Sequence, residues 1–176
     1  MTETELLPII AQIIGLVASL IAISSYQFKQ VKTLFLFQLV SAILFTTHFA
    51  MLGAYCGAVQ NFLAMLRGVV LVDKKGKLAE RKWIFIALIA LFVISGIVFY
   101  DGVFSILPII AMIVSTVFMW TRDNKKLRIA QMFVVSPCWL TYNIHVFSIS
   151  GIITECFAIL SVIVSLIRFS LEKKKK

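Results

Sequence analysis

RKWIFIALIALFVISGIVFYDGVFSILPIIAMIVSTVFMWTRDNKKLR, residues 81–128, holds two long apolar runs, 83–100 and 104–120, separated by a short acidic turn at Asp101. A bilayer-spanning helix needs roughly 20 apolar residues, so each run is long enough to cross. Two crossings return the chain to the side it left. Arg81 and Lys82 precede the pair, and Arg122, Lys125, Lys126 and Arg128 follow it. Lys and Arg collect in cytoplasmic loops. Both basic clusters are therefore expected inside, and Asp101 outside.

Outward from this stretch the same pattern repeats. Further apolar runs cover 7–26, 33–52, 55–72, 127–146 and 150–169. The chain of 176 residues is 61% hydrophobic and only 14% charged, with a mean hydropathy of +1.01. A soluble domain needs a polar shell, and no stretch supplies one. The first run is not a removable signal peptide on this reading, because it opens on Glu3 and Glu5 rather than on a positive region.

Placing the N-terminus outside sorts all 17 basic residues to the inner side or near it. Lys29 and Lys32 follow the first helix. Lys74, Lys75, Lys77, Arg81 and Lys82 follow the third. The tail Lys173 to Lys176 follows the seventh, and Arg67 and Arg168 lie near inner helix ends. Six helices, or the opposite start, would destroy this separation. The expected fold is thus an all-α membrane protein of seven transmembrane helices, N-terminus outside and C-terminus cytoplasmic. The net charge of +9 is then the inner collar of that topology and not a nucleic-acid surface. The tail is an orientation signal or a contact for anionic lipid. Cys56, Cys138 and Cys156 lack disulfide or metal spacing and read as small packing residues.

The chain also reads as three helices, a linker helix, and three more. Both triplets have a basic turn after their first helix, Lys29–Lys32 and Arg122–Arg128. Both second helices carry a glutamine near the inner end, Gln38 and Gln131. Both third helices open on a glycine followed four residues later by a polar group: Gly57 with Asn61, and Gly151 with Glu155. The offset is 93 or 94 residues. Helix four, 83–100, has no counterpart and carries the chain back across. Expected units are 1–72, 73–103, 104–169 and a tail 170–176. Repeats that start from one side are parallel, related about the membrane normal, as in SWEET sugar facilitators.

The segments THFAMLGAY at 47–55, NFLAMLR at 61–67, LPIIAMIVST at 107–116, CWLTYN at 138–143, SISGIITE at 148–155 and LIRF at 166–169 resemble the YgjV family of bacterial inner-membrane proteins. The resemblance covers roughly 10–170 and implies a multi-pass protein of the bacterial cytoplasmic membrane. The three-plus-one-plus-three pattern is also similar to SWEET facilitators and PnuC-type vitamin transporters. Where that wider group has a proline-glutamine pair, this chain reads SSYQFK at 24–29.

Function is sought among polar groups inside the apolar runs, because a charge at the bilayer centre costs roughly 2.5–3.5 kcal/mol on insertion scales. Glu155 is an acid inside such a run, a proton, cation or substrate site or else an anchor to a neighbouring helix. Asn61 is its repeat partner, a ligand group or interhelical glue. Trp139 lies one turn before Asn143 and shares its face. An aromatic plate beside an amide suits a ring-shaped solute, and the plain alternative is packing. His48 lies near the outer end of helix two, with function and structure equally open, and His145 is read as interfacial. Pro137 and Pro108 kink their helices, as hinges or as static bends. Gln38 and Gln131 form an inner gate pair or simple interhelical bonds. Arg67 is a gate residue or snorkels to headgroups.

No metal cluster, phosphate loop or hydrolase triad is present in the sequence, so neither enzyme nor cofactor is expected. The expected function is transport of a small polar solute, sugar or nucleoside-like, through a central polar cavity. The alternative is a non-transporting interaction or receptor protein. A cavity lined by the polar set favours the first; a filled core with Asn61 bonded to Glu155 favours the second. The expected partners are the lipid bilayer and the solute. Oligomerisation is allowed but not required, because one chain carries both triplets.

Overall fold

In hydrocarbon every backbone N–H and C=O must be satisfied within the chain, which leaves long apolar runs little choice but helix. A computed structural model describes residues 3–25, 28, 30–72 and 80–174, with the side chains of 3–5, 31, 124 and 165–174 also outside the description. Among the described residues the chain is helical throughout, without strands. The helices are α1 Glu3–Ser25, α2 Val31–Met51, α3 Tyr55–Val72, α4 Lys82–Val98, α5 Ile106–Trp120, α6 Asn124–Ala130, α7 Ser136–His145 and α8 Ile149–Lys174. A 3-10 turn, Val103–Ser105, leads into α5, and a π-turn, Gln131–Val135, joins α6 to α7. Among the described residues four segments are long and apolar enough to cross a membrane: Leu6–Ser25, Lys32–Met51, Tyr55–Val72 and Val103–Trp120. Lys82–Val98 and Ile149–Val164 are shorter apolar helices.

Packing follows small residues where backbones must approach. On α1, Ala11, Gly15, Ala18, Ser19, Ala22 and Ser25 are buried at intervals of three or four, one stripe of the helix. Membrane helices associate through such stripes because lipid offers no hydrophobic drive between them. The stripe meets α2 and α8, where Ser41 Oγ donates to Ala18 O at 3.1 Å and Ser19 Oγ to Ser150 O at 3.1 Å. On α4, Ile84, Leu88, Phe92 and Gly96 form a stripe of period four that packs on α3 and α5. The other side of α4 presents Ile86, Ile94, Ile97 and Val98 outward.

The neighbour relations close a ring. The chain-adjacent pairs α1–α2, α2–α3, α5–α7 and α7–α8 pack together, and α3 packs on α5 as α1 packs on α8. α4 touches this ring on α3 and α5.

One expectation needs correction. The run 127–146 is not a continuous α-helix kinked at Pro137. Proline has no N–H and its ring clashes with the carbonyl four residues earlier, which is that of Phe133. The chain absorbs this by widening Gln131–Val135 into a π-turn, so that Pro137 sits in the first turn of α7. The basic turn before α6 is tidily capped. Asp123 accepts from the backbone N–H of Lys125 at 2.9 Å and of Lys126 at 3.2 Å. The Lys126 N–H above all holds the Asp123 carboxyl below the usual carboxylate range. Of the basic collar, Lys29, Lys74, Lys75, Lys77, Lys175 and Lys176 lie outside the described residues, as do the side chains of Glu3, Glu5, Arg168, Lys173 and Lys174.

Candidate functional site

Inside the ring lies a crevice of about 90 Å³. At the end of the bundle that carries the Arg122–Arg128 turn it is lined by Gln38, Arg67, Ser115 and Gln131. Further along come Ser41, Phe45 and Val135, and beyond them Asn61, Trp139, Asn143, Gly151 and Glu155. From Gln38 to Phe49, both in its wall, α2 advances by roughly 16 Å at the helical rise per residue. The space is therefore long and thin, parallel to the helices.

The wall is built from matched positions. Ala22 and Ser115, and Gln38 and Gln131, stand 93 residues apart. Ser41 and Val135, Phe45 and Trp139, Phe49 and Asn143, and Asn61 and Glu155 stand 94 apart. The step from 93 to 94 falls between Gln131 and Val135, inside the π-turn. A π-turn takes up one residue more than the α-turn it replaces. The inserted residue thus keeps Trp139, Asn143 and the rest of α7 on the lining face.

The hydrogen bonds divide the wall into satisfied and unsatisfied groups. Gln131 Nε2 donates to Ser136 Oγ at 3.0 Å, and the Ser136 hydroxyl lies beside the Glu155 carboxyl group. Glu155 Oε2 is buried without a partner. Asn61 does not reach Glu155; its Nδ2 donates to Gly57 O at 3.0 Å, on its own helix. Asn143 is 2% exposed, and its Oδ1 is buried without a partner. A Cβ at Gly151 would overlap the Asn143 amide, so only glycine leaves that amide its place. Gly57 plays the matching part for Tyr142, whose ring carbon would lie 2.8 Å from a Cβ there. The Gly57 N–H donates to Tyr142 Oη at 3.0 Å. Trp139 stacks on Phe49, ring centroids 5.7 Å apart, and meets Tyr142 edge-on at 5.8 Å.

Arg67 points into the bundle and not towards headgroups. It is 5% exposed. Its Nη1 donates to Thr116 Oγ1 at 2.9 Å and to Ser115 Oγ at 3.3 Å, and the guanidinium carbon lies 5.8 Å from the centre of the Phe92 ring. Its Nε is buried without a partner. Gln38 Nε2 donates to Ser25 Oγ at 3.0 Å, tying α2 to α1.

Two sequence candidates stand apart from the crevice wall. His48 is fully buried, with Nδ1 2.7 Å from Ala11 O and Nε2 2.8 Å from Ser148 Oγ. A carbonyl only accepts, so Nδ1 carries the proton and Nε2 accepts from the serine. The imidazole joins α1, α2 and the turn before α8. Pro137 shapes the π-turn but does not line the space. Other wall residues were not singled out from sequence: Ser41, Phe45, Phe49, Ser115 and Thr154. Their signal was available in the repeat offset, which pairs Phe45 with Trp139 and Phe49 with Asn143. Among the described residues no group of three His, Cys, Asp or Glu side chains gathers as a metal site.

What the arrangement offers chemically is a thin polar space with buried donors and acceptors left open, inside a shell whose outward side chains are apolar. No curated protein and no solved structure matches the chain. The model of one family, described as bacterial inner membrane protein, matches residues 9–173. The chain belongs to that family, Imp-YgjV, and is a multi-pass protein of the bacterial inner membrane.

Proposed function

We propose that the protein moves a compact polar solute across the inner membrane through this crevice. The observation that carries the reading is the matched wall: both halves of the chain contribute side chains at equivalent positions to one polar space. Binding at the interface of two repeats is the usual plan of secondary transporters. On this reading seven helices cross the membrane, counting Asn124–His145 as one crossing. The N-terminus is outside and the C-terminus cytoplasmic. Residues 1–72 and 104–169 are parallel repeats about an axis along the crevice, and α4 is the linker.

The ring supports the parallel relation. A two-fold axis through the crevice exchanges the α3–α5 contact with the α8–α1 contact, and α1–α2 with α5–α7. The mechanism is physical, not enzymatic: Gln38, Gln131 and Arg67 gate one end, and Asn61, Trp139, Asn143 and Glu155 hold solute towards the other. The rival reading, an interaction protein with a filled core, called for Asn61 bonded to Glu155. Asn61 instead bonds its own backbone, and Glu155 keeps an open oxygen.

Volume narrows the cargo. At about 90 Å³ the crevice is narrow. Ordinary ligand pockets run to ~300–1,000 Å³. A sugar or nucleoside would need the walls to part several-fold, whereas a solute of a few heavy atoms would not. Flux in proteoliposomes tests the proposal. Uptake of compact polar solutes above empty vesicles, lost on crowding the wall with Ser41→Phe, is the expected result. Equal uptake with and without protein across such a panel would end it.

A further inference from the structure

Within the transport reading, the open atoms of the wall name the cargo's chemistry. Arg67 is a cation inside the bundle, and no carboxylate of the described residues is within ion-pair distance of it. Its partners are two hydroxyls, a thioether and the Phe92 ring, all uncharged, and its Nε still has a proton to donate. A buried charge without a counter-ion is costly, and hydrocarbon cannot supply one. At the other end the open atoms are Asn143 Oδ1 and Glu155 Oε2, both acceptors. The crevice therefore lacks an anion at one end and a hydrogen-bond donor at the other.

We propose that the crevice binds a small zwitterion, carboxylate at Arg67 and ammonium at Asn143 and Glu155. Guanidinium matches carboxylate geometry, and Arg67 Nε offers the free edge. An ammonium has three donors, enough to satisfy both oxygens at once. Spacing selects among zwitterions. Glu155 is the repeat partner of Asn61, and Arg67 lies six residues beyond Asn61 on α3, roughly 9 Å along the axis. The Arg67 stem shortens this gap by leaning towards the helix N-terminus. Several methylenes still fit between the charges, so an ω-amino acid suits the site better than an α-amino acid. Phe45 in the wall between, and Phe49 and Trp139 towards the far end, are suitable neighbours for that methylene chain.

The full chain in nanodiscs provides the test, with the ω-amino acids from glycine to 6-aminohexanoate as probes. Each is compared with the fatty acid lacking its ammonium and the amine lacking its carboxylate. The expected result is a best chain length beyond glycine, binding at least tenfold tighter than either comparison compound. Arg67→Gln should erase the advantage over the amine, and Glu155→Gln the advantage over the fatty acid. If Arg67→Gln does not yield folded protein, Glu155→Gln and Asn143→Ala still read the ammonium end. A series in which no amino acid outbinds its two comparison compounds overturns the assignment. So does an unchanged preference in the variants. Flux separates the two proposals. Tight zwitterion binding without uptake upholds the site and ends the transport reading, whereas uptake of neutral solutes with no preference for zwitterions ends the site assignment alone.

Discussion

Glu155 and His48 are both polar groups in apolar helices, and their surroundings assign them opposite fates. Glu155 is in the crevice wall, and one of its oxygens is buried without a partner. Replacing it by Gln keeps its shape and removes its charge. Glu155→Gln should leave the thermal midpoint in detergent near wild type. It should lower transport by about tenfold or more, the scale of one lost hydrogen bond to a charged group. Unchanged uptake in both Glu155→Gln and Glu155→Ala would remove Glu155 from the site. His48 has both nitrogens engaged by protein atoms and lies off the crevice wall. His48→Ala should cost stability, about 1–3 kcal/mol for the stranded Ala11 and Ser148 groups and more for the void. Its apparent KM for solute should not move. From sequence these two were not separable, since both are single polar residues near helix ends and their partners come from other helices. What was legible is the pairing of Asn61 with Glu155, because repeat arithmetic needs no knowledge of contacts. Arg67 was less legible: an arginine near a helix end can snorkel or turn inward, and Ser115 and Thr116 on α5 decide the matter.

At the scale of the helix, the second and third apolar runs were readable to within two residues, since a bilayer imposes their length. The run 33–52 became Val31–Met51, and 55–72 became Tyr55–Val72. The π-turn was not read, although its trace was present as an offset that is 93 at the glutamines and 94 at the glycines. One slipped residue has no hydropathy signature, so only comparison of the two halves exposes it. If the π-turn is an insertion that serves both Pro137 and the lining register, the two roles can be pulled apart. Phe133 is 65% exposed on the outer face of the turn. Deleting it should close the π-turn to α and keep Trp139 and Asn143 facing the crevice, at the expense of forcing Pro137 into a regular helix. A proline in a helix interior costs about 3 kcal/mol. The deletion alone should therefore lower the thermal midpoint, and adding Pro137→Ala should restore much of it. A double variant no more stable than the deletion would refute this account. Gly151→Ala belongs to the same scale: it should destabilise by about 1–3 kcal/mol, since its Cβ overlaps the Asn143 side chain.

For the whole molecule, charge placement makes the sharpest claim. Asp123 caps α6, whose first turn carries Lys125 and Lys126, and Asp101 sits in the turn between α4 and α5. One crossing, α5, separates them, so they must face opposite compartments if Val103–Trp120 spans. The proposed orientation puts the basic turn inside, because Lys and Arg are retained in the cytoplasm during insertion. The native thiols Cys56, Cys138 and Cys156 are first replaced by Ser or Ala. Cysteines are then placed singly at Asp101 and Lys125, both in exposed positions. A membrane-impermeant maleimide added to intact spheroplasts should label the cysteine at 101 and not that at 125. Opened membranes should reverse the protection at 125. The pattern tests count and orientation together. Labelling of both sites from outside would mean that α5 does not cross. The inverse pattern would turn the bundle over and set its basic collar on the periplasmic face, against the retention rule. The inverse pattern leaves the two triplets starting from one common side, whereas labelling of both sites from outside removes that premise, and with it the parallel repeats that make a single shared crevice the transport path.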